Sequence, residues 1–298
     1  MSAQADPNPL AAQTGRARRR KLTGRIMEGL ATAAALLAVA VLAIVLISVA
    51  KRGLPAMNLN FFTQNAAPFG QSGGGIANAI VGTVIIVAIG IAIAVPAGVL
   101  LAIFNVEFAP PRVAEAIRLT LNVLAGVPTI VIGVFIFSLV VVGRGQSGFA
   151  GSIGLAIVML PLIARGTEEV LLLVPATLRE GSLALGASRT RTVLTVILPT
   201  AVGGMVTATI VAVARAAGET APLLFTCSIF VSTAITTDPR QPMATLPIVI
   251  FTSAESPSAH DQQQAWAAAL VLIAVVLVGS IVGRVLSLRT RRQIEQAR

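Results

Sequence analysis

An all-α polytopic membrane protein with six transmembrane helices is the fold class this sequence predicts. Three observations lead there. Of the 298 residues 55% are apolar, only 11% are charged, and mean hydropathy is +0.88, whereas soluble domains carry about 25% charged residues. Six runs reach the ~20 apolar residues needed to cross a bilayer as helix. Finally, the charges that remain cluster in short segments between those runs.

The runs lie at about 27–50, 76–104, 119–142, 150–174, 200–225 and 266–286. The first is too long for a signal-peptide core and has no small-residue cleavage site after it, so it is expected to remain as a span. Before it, residues 1–25 form a polar, basic tail ("GRARRRK") expected to be largely disordered. Pro96, Pro128 and Pro161 fall within the second, third and fourth spans, where a missing donor favours a kink. Gly279 and Gly283 in the sixth are spaced as GxxxG, which allows close helix packing. The loop before that span contains "MATLPIVIFTSA" (243–254), apolar but too short to cross, and expected to be re-entrant or interfacial.

Orientation follows from Lys and Arg. Six lie in the N-terminal tail, two in 105–118, four in 165–199 and five at or beyond the end of the last span (Arg284 onward), against four in the alternate loops (Lys51, Arg52, Arg144, Arg240). The excess predicts that both termini are cytoplasmic in a plasma (inner) membrane. The domains expected are the tail 1–25, a first helix and external loop 26–75, the main membrane domain 76–287 and a cytoplasmic tail 288–298.

Charge distributed in this way orients helices in lipid and does not make a nucleic-acid interface, so nucleic acid is not an expected partner, while membrane lipid is. Cys227 is the only cysteine, which excludes an internal disulfide and a cysteine metal site. Metal ligands, cofactors and paired catalytic groups are not evident; His260 with Asp261 is too sparse for a metal. There is no G-x4-G-K-[ST] phosphate loop, so the chain is not expected to be an enzyme, and any ATP-driven step must come from another subunit. "GQSGGG" (70–75) reads as a flexible loop. Glu168 and Glu169 are expected to solvate a loop or pair with Arg165. Asp238 and Arg240 are candidates for touching an external protein.

Two charged stretches stand out. In "REGSLALGASRTRTVLTVILP" (179–199), Thr177 and Glu180 have capping-box spacing. Gly186 is placed to end the helix in a left-handed conformation, and Ser188 to cap a second. A helix–turn–helix lying on the cytoplasmic membrane surface is expected. In "ARAAGETAPLLFT" (214–226), Arg215 and Glu219 are four apart and expected on one helical face, able to pair. Arg215 lies about 22 Å along its span at ~1.5 Å per residue. A charge that deep faces protein or an aqueous path. The guanidinium fork suits an oxyanion, Thr220 can add a hydroxyl, and Glu219 can hold Arg215 until an anion competes for it. A structural ion pair is the other reading. On the residues alone, an ATP-driven importer for one of several oxyanions, such as molybdate or sulfate, an ion-coupled secondary carrier and a passive membrane anchor all stay open.

Glu180, Gly186, Leu198 and Pro199 are spaced E-x5-G-x11-L-P, which resembles the E-A-A-x3-G-x9-I-x-L-P signature of binding-protein-dependent ABC importer permeases. Gly181 and Ser182 replace its alanines and Val196 its isoleucine. "RAAGETAPLLFT" (215–226), "NVLAGVPTIVIGVF" (122–135) and "LPLIARGTEEVLLLVP" (160–175) resemble the phosphate-specific permeases of the PstA family, over most of residues 76 to 287. The resemblance implies a type I ABC importer permease fold, with a coupling helix that docks an ATPase through Glu180, Gly186, Leu198 and Pro199. It also implies a substrate path at Arg215 and Glu219, and inorganic phosphate as cargo. The implied partners are a homologous permease, PstC, two copies of the ATPase PstB, and the phosphate-binding protein PstS.

Overall fold

A chain in hydrocarbon must satisfy its backbone groups internally, and helices do so here almost throughout. Among the described residues the only β-type pairing is a single bridge between Ala66 and Gly74. The structure is a computed structural model that describes residues 14–67, 73–227 and 234–296. It divides into two units, Met1–Lys51 and Arg52–Arg298.

The first unit is essentially one helix, α1 (Thr14–Gly53). Its lipophilic part is apolar around the whole circumference, as a span requires. The tail expected to be disordered through residue 25 is instead helical from Thr14, and residues 1–13 lie outside the described residues.

The second unit begins with a short helix, α2 (Leu59–Thr63), capped by Asn58, whose Oδ1 accepts from the Phe61 amide at 2.8 Å. The long α3 (Ala77–Ile103) follows and unwinds into a π-turn at Phe104–Phe108. Pro96 lies inside α3 without breaking it. Pro128 behaves differently. The predicted third span is not one helix: α4 (Pro111–Gly126) and α5 (Thr129–Ile136) meet at 94°. Proline drives the preceding residue out of the helical region, and both Val127 and Pro128 are extended.

Next come α6 (Gly148–Leu172), α7 (Ala176–Ala184), a single turn α8 (Arg189–Thr192), a π-turn at Val193–Ile197 and α9 (Leu198–Ala217). The short α10 (Ala221–Thr226) and α11 (Leu246–Ala254) precede α12 (Ala259–Gln296). Thus the sixth helix runs on through the segment expected as a C-terminal tail; residues 297–298 lie outside the described ones. Five helices are long and apolar enough to cross a membrane, and the bent pair brings the number to six. The chain is a multi-pass membrane protein.

Small residues set the helix spacing, as lipid-embedded packing demands. On α3, Gly90 faces Met159 and Gly98 faces Ile163 of α6, while Gly166 of α6 faces Ala208 of α9. The fully buried Ile86, Leu155, Met159 and Ile163 lie in the central core, with Ala212 and Ala216. A second core surrounds α11: Leu246 and Val249 pack with Phe61, Ile76 and Ala268. Thr83 Oγ1 accepts from the Leu246 amide at 2.8 Å, satisfying the start of α11. Nine residues rise only about 13 Å, so α11 cannot cross, as its length predicts. A Cβ added at Gly279 would meet nothing within 4 Å among the described residues.

Candidate functional site

The stretch 214–226 is not the continuous fifth helix expected. Its helix ends at Ala217, Gly218 caps it, and a new helix starts only at Ala221, with Pro222 in its first turn. The last amides turn back tightly: Gly218 donates to the Arg215 carbonyl at 3.2 Å and Glu219 to Ala216 at 3.0 Å. Glu219 and Thr220 therefore lie in the break and not on the face of Arg215, and Arg215 and Glu219 make no ion pair. The expected pairing is corrected because i,i+4 geometry needs an unbroken helix.

Arg215 occupies the last turn of α9, where a cation is favourably placed against the C-terminal end of the helix dipole. Its depth follows from the antiparallel register of α9 on α6. Gly204 faces Val170 and Ala208 faces Gly166; the same register carried on puts Arg215 level with Met159, near the midpoint of α6. Arg215 is exposed there, on a stripe with Thr207 and Val211, while Ala212 and Ala216 turn inward. Glu219 and Thr220 are half-buried.

The break is held rigidly on its far side. Pro222 sits against Gly133 of α5, where an added Cβ would lie 2.8 Å from Pro222 Cα. Gly151 of α6 leaves no room beside Cys227 Sγ. The carbonyls ending α10 are also taken up. Ser147 N donates to Thr226 O at 2.9 Å, and Gln146 Nε2 donates to Phe225 O at 3.2 Å. Irregular backbone at this depth is tolerated where it lines a water-filled cavity or lies within protein.

The second candidate element is the elbow at 176–199. The predicted capping box does not form, because α7 starts two residues earlier, after Pro175, leaving Thr177 inside the first turn. Its termination is as expected. Gly186 has φ +82°, its amide donates to Leu183 O at 2.9 Å and that of Ala187 to Ser182 O at 3.2 Å, a complete Schellman motif. Ser188 caps the next helix through the Arg191 amide at 3.3 Å. That helix does not end at Pro199. It continues as the fifth span, rewound by the π-turn just before Pro199. The wider turn accommodates a residue with no amide hydrogen and a ring that crowds the preceding turn.

The elbow has two faces. Glu180, Leu183 and Gly186 are exposed, and Leu185 is 91% exposed; Leu198 and Pro199 are half-buried. The inward stripe is Leu178, Arg179 and Ser182. Ser182 Oγ and Thr192 Oγ1 lie 2.9 Å apart, joining the two arms. Arg179 donates to Glu107 Oε1 from Nε at 3.1 Å and Nη2 at 3.0 Å. It also donates to Val174 O at 2.6 Å and to Leu171 O at 2.7 Å.

Neither Arg179 nor Glu107 was singled out from the sequence, since 72 residues separate them. Glu168 was, but with the wrong partner. It is buried on α6 and accepts from Arg118 Nε of α4 and from Asn105 Nδ2 at 3.1 Å. Arg165 and Glu169 are exposed. Among the described residues no cluster of acids, histidines or cysteines could hold a metal. Asp238 accepts from the Arg240 amide at 3.0 Å in an exposed turn. His260 and Asp261 instead bond to Gln264 and Ser256. Of "GQSGGG", residues 70–72 lie outside the described residues.

Comparison with known proteins places these elements in context. Residues 94–292 match the family model for binding-protein-dependent transport system inner membrane components. The chain is 38% identical to the phosphate transport system permease protein PstA of Yersinia pestis, over 81% of this chain and 82% of that one. It is 35% identical to the probable PstA of Methanocaldococcus jannaschii, over 87% and 91%. It is 39% identical to PstA 1 of Mycobacterium tuberculosis strain H37Rv, over 69% and 67%. The fold resembles a chain of the MetNI methionine ABC transporter in inward-facing conformations (TM-score 0.57, 22% identity, 72% and 94% covered). It also resembles one from a bacterial ABC transporter involved in alginate import (TM-score 0.60, 14% identity, 90% and 99% covered). The all-α architecture is that of type I ABC importer permeases.

Proposed function

Because this chain belongs to the binding-protein-dependent inner membrane components and, within them, to the PstA permeases, we propose that it is the transmembrane permease subunit of an ATP-driven inorganic phosphate importer. It forms half of the translocation path and hydrolyses no ATP itself. The other half is a homologous permease, PstC; two PstB ATPases supply the work, and PstS delivers phosphate from outside. The protein sits in the bacterial inner membrane with both termini in the cytoplasm. Residues 76–287 form the permease domain, 26–75 the first helix with its external loop, and 1–25 and 288–298 its cytoplasmic ends.

One observation carries the substrate path: a guanidinium exposed at mid-span beside a break in its helix. Arg215 has no acidic partner among the described residues, and a cation at that depth is costly against lipid. The aqueous cavity between two permeases is the environment that removes this cost, and phosphate is the anion its fork fits. With Glu219 in the break and not on the same helical face, its holding role becomes one of mutual approach. When α9 and α10 shift, carboxylate and guanidinium can close behind the departing anion. Thr220 adds a hydroxyl to the same break.

On the opposite end, Glu180, Gly186, Leu198 and Pro199 belong to the elbow that receives PstB. Exposed Leu183 and Leu185 give that elbow an apolar tip, suited to a cleft in another protein. Alternating access then follows. ATP-driven closure of the two ATPases pushes the elbows together, which shuts the path on the cytoplasmic side and opens it to PstS; their separation after hydrolysis opens it inward.

The test uses the assembled four-component importer in vesicles. Arg215→Gln should reduce phosphate uptake at least a hundredfold while the complex still co-purifies intact. Retained uptake removes Arg215 from the path. Uptake blocked by molybdate or sulfate but not by phosphate analogues would reassign the cargo.

A further inference from the structure

We propose that Arg179 is the positioning residue that couples the elbow to the membrane-spanning helices. It is a strut between α7 and α3, and this rests on the coupling role just assigned to 176–199. The argument starts from its four donated hydrogen bonds. Two go to Glu107 and one each to the carbonyls of Val174 and Leu171. The Leu171 carbonyl, which also accepts from the Val174 amide, lies in the last turn of α6, and that of Val174 lies just past its C-cap, where a helix end leaves carbonyls with spare acceptor capacity. One planar fork therefore ties three elements: α7 that carries it, the end of α6, and the π-turn that ends α3.

A plain helix cap would need only the carbonyls. Glu107 goes further, because it is buried, 5% exposed, and its carboxylate is paired with a side chain from another element. The π-turn at Phe104–Phe108 widens the helix at the point where Asn105 and Glu107 project. Asn105 donates to Glu168 of α6, and Glu168 is held in turn by Arg118 of α4. A displacement of Arg179 is thus delivered to the base of α3 and, through Asn105, to α6 and α4. The other inward side chains of α7 make no polar link of this kind: Ser182 reaches Thr192 in the elbow's own second arm, and Leu178 adds apolar packing against the cluster of Ala102, Val193 and Ala201. Among the described residues α7 has no other ion pair.

Arginine suits the task because its fork is rigid and stays charged when partly buried. A lysine could meet Glu107 but not hold two carbonyls as well. The chemistry therefore orders the variants by coupling: Arg best, Lys intermediate, Gln poorest.

The experiment reconstitutes the full importer and measures phosphate transported per ATP hydrolysed, with co-purification of the ATPase as the assembly control. Arg179→Gln, and the neutral pair Glu107→Gln with Arg179→Gln, should keep the ATPase bound and lower the ratio at least tenfold; Arg179→Lys should recover part of it. Spin labels at Thr177 on α7 and Leu100 on α3, both exposed, give a second readout that needs no substrate. Their separation should stay constant between nucleotide-free and nucleotide-trapped complexes of the parent protein, and change in Arg179→Gln. An unchanged transport ratio in both neutral variants, loss of the ATPase on co-purification, or a constant label distance in Arg179→Gln would overturn the proposal. A parent complex that moves no phosphate but keeps the label behaviour overturns the assigned cargo and leaves the strut standing.

Discussion

Glu168 and Glu169 are neighbours in sequence, yet they illustrate how burial separates two carboxylates. Glu168 faces α3 and α4, where it takes Asn105 and Arg118, while Glu169 is exposed. Removing one partner of a fully buried pair costs about 3–5 kcal/mol. Arg118 is half-exposed and can be rehydrated, so the loss should be smaller. Glu168→Gln should cost about 2 kcal/mol of stability on that argument, and Glu169→Gln close to nothing. Thermal unfolding of the detergent-solubilised protein measures both, and equal effects would show that the buried cluster is not a stabilising contact. Spacing could not have separated them, since adjacent residues on a helix differ by 100° and only the neighbouring helices decide which one is enclosed.

Among the elements, the α9–α10 break is the one whose geometry matters most. Its position depends on glycines in other helices: Gly133 of α5 and Gly151 of α6 let α10 approach. A valine at Gly133 would push into the backbone of Pro222, which cannot yield by changing rotamer. Overpacking of this kind costs about 1–3 kcal/mol and should displace α10 and the break with it. Gly133→Val should therefore lose most phosphate uptake in vesicles, although the elbow, at the other end of the molecule, still retains the ATPase in pull-down. Loss of ATPase binding alongside uptake would mean that the substitution disrupts the whole fold. The other proline breaks follow one rule. Pro96 and Pro161 lie inside helices that continue, whereas at Pro128 two successive extended residues turn the chain by 94°. A proline states that a donor is missing; packing determines whether the helix bends or ends.

For the whole molecule, the expectation open to direct test is orientation. Seventeen basic residues on one side against four on the other predict that the elbow faces the cytoplasm. Cys227 is fully buried, so a single added cysteine can report without a competing thiol. In intact cells a membrane-impermeant maleimide should label Asp238→Cys and spare Ser188→Cys; in inverted vesicles the preference should reverse. Labelling of Ser188→Cys from outside would end the coupling scheme, because no ATPase could reach the elbow there.

The class of the fold, the number of apolar runs, the glycine that ends α7 and the charged stretches worth inspecting were all legible in the chain. Each depends on local chemistry: hydropathy over twenty residues, a left-handed backbone, a charge where hydrocarbon would be. Tertiary structure alone decided that the third apolar run folds at a right angle and that the fifth is interrupted between Arg215 and Glu219. It alone brought Arg179 to Glu107 and Arg118 to Glu168, across 72 and 50 residues of sequence. A buried ion pair belongs to two helices at once, and the distance between helices is set by the small residues that let them touch.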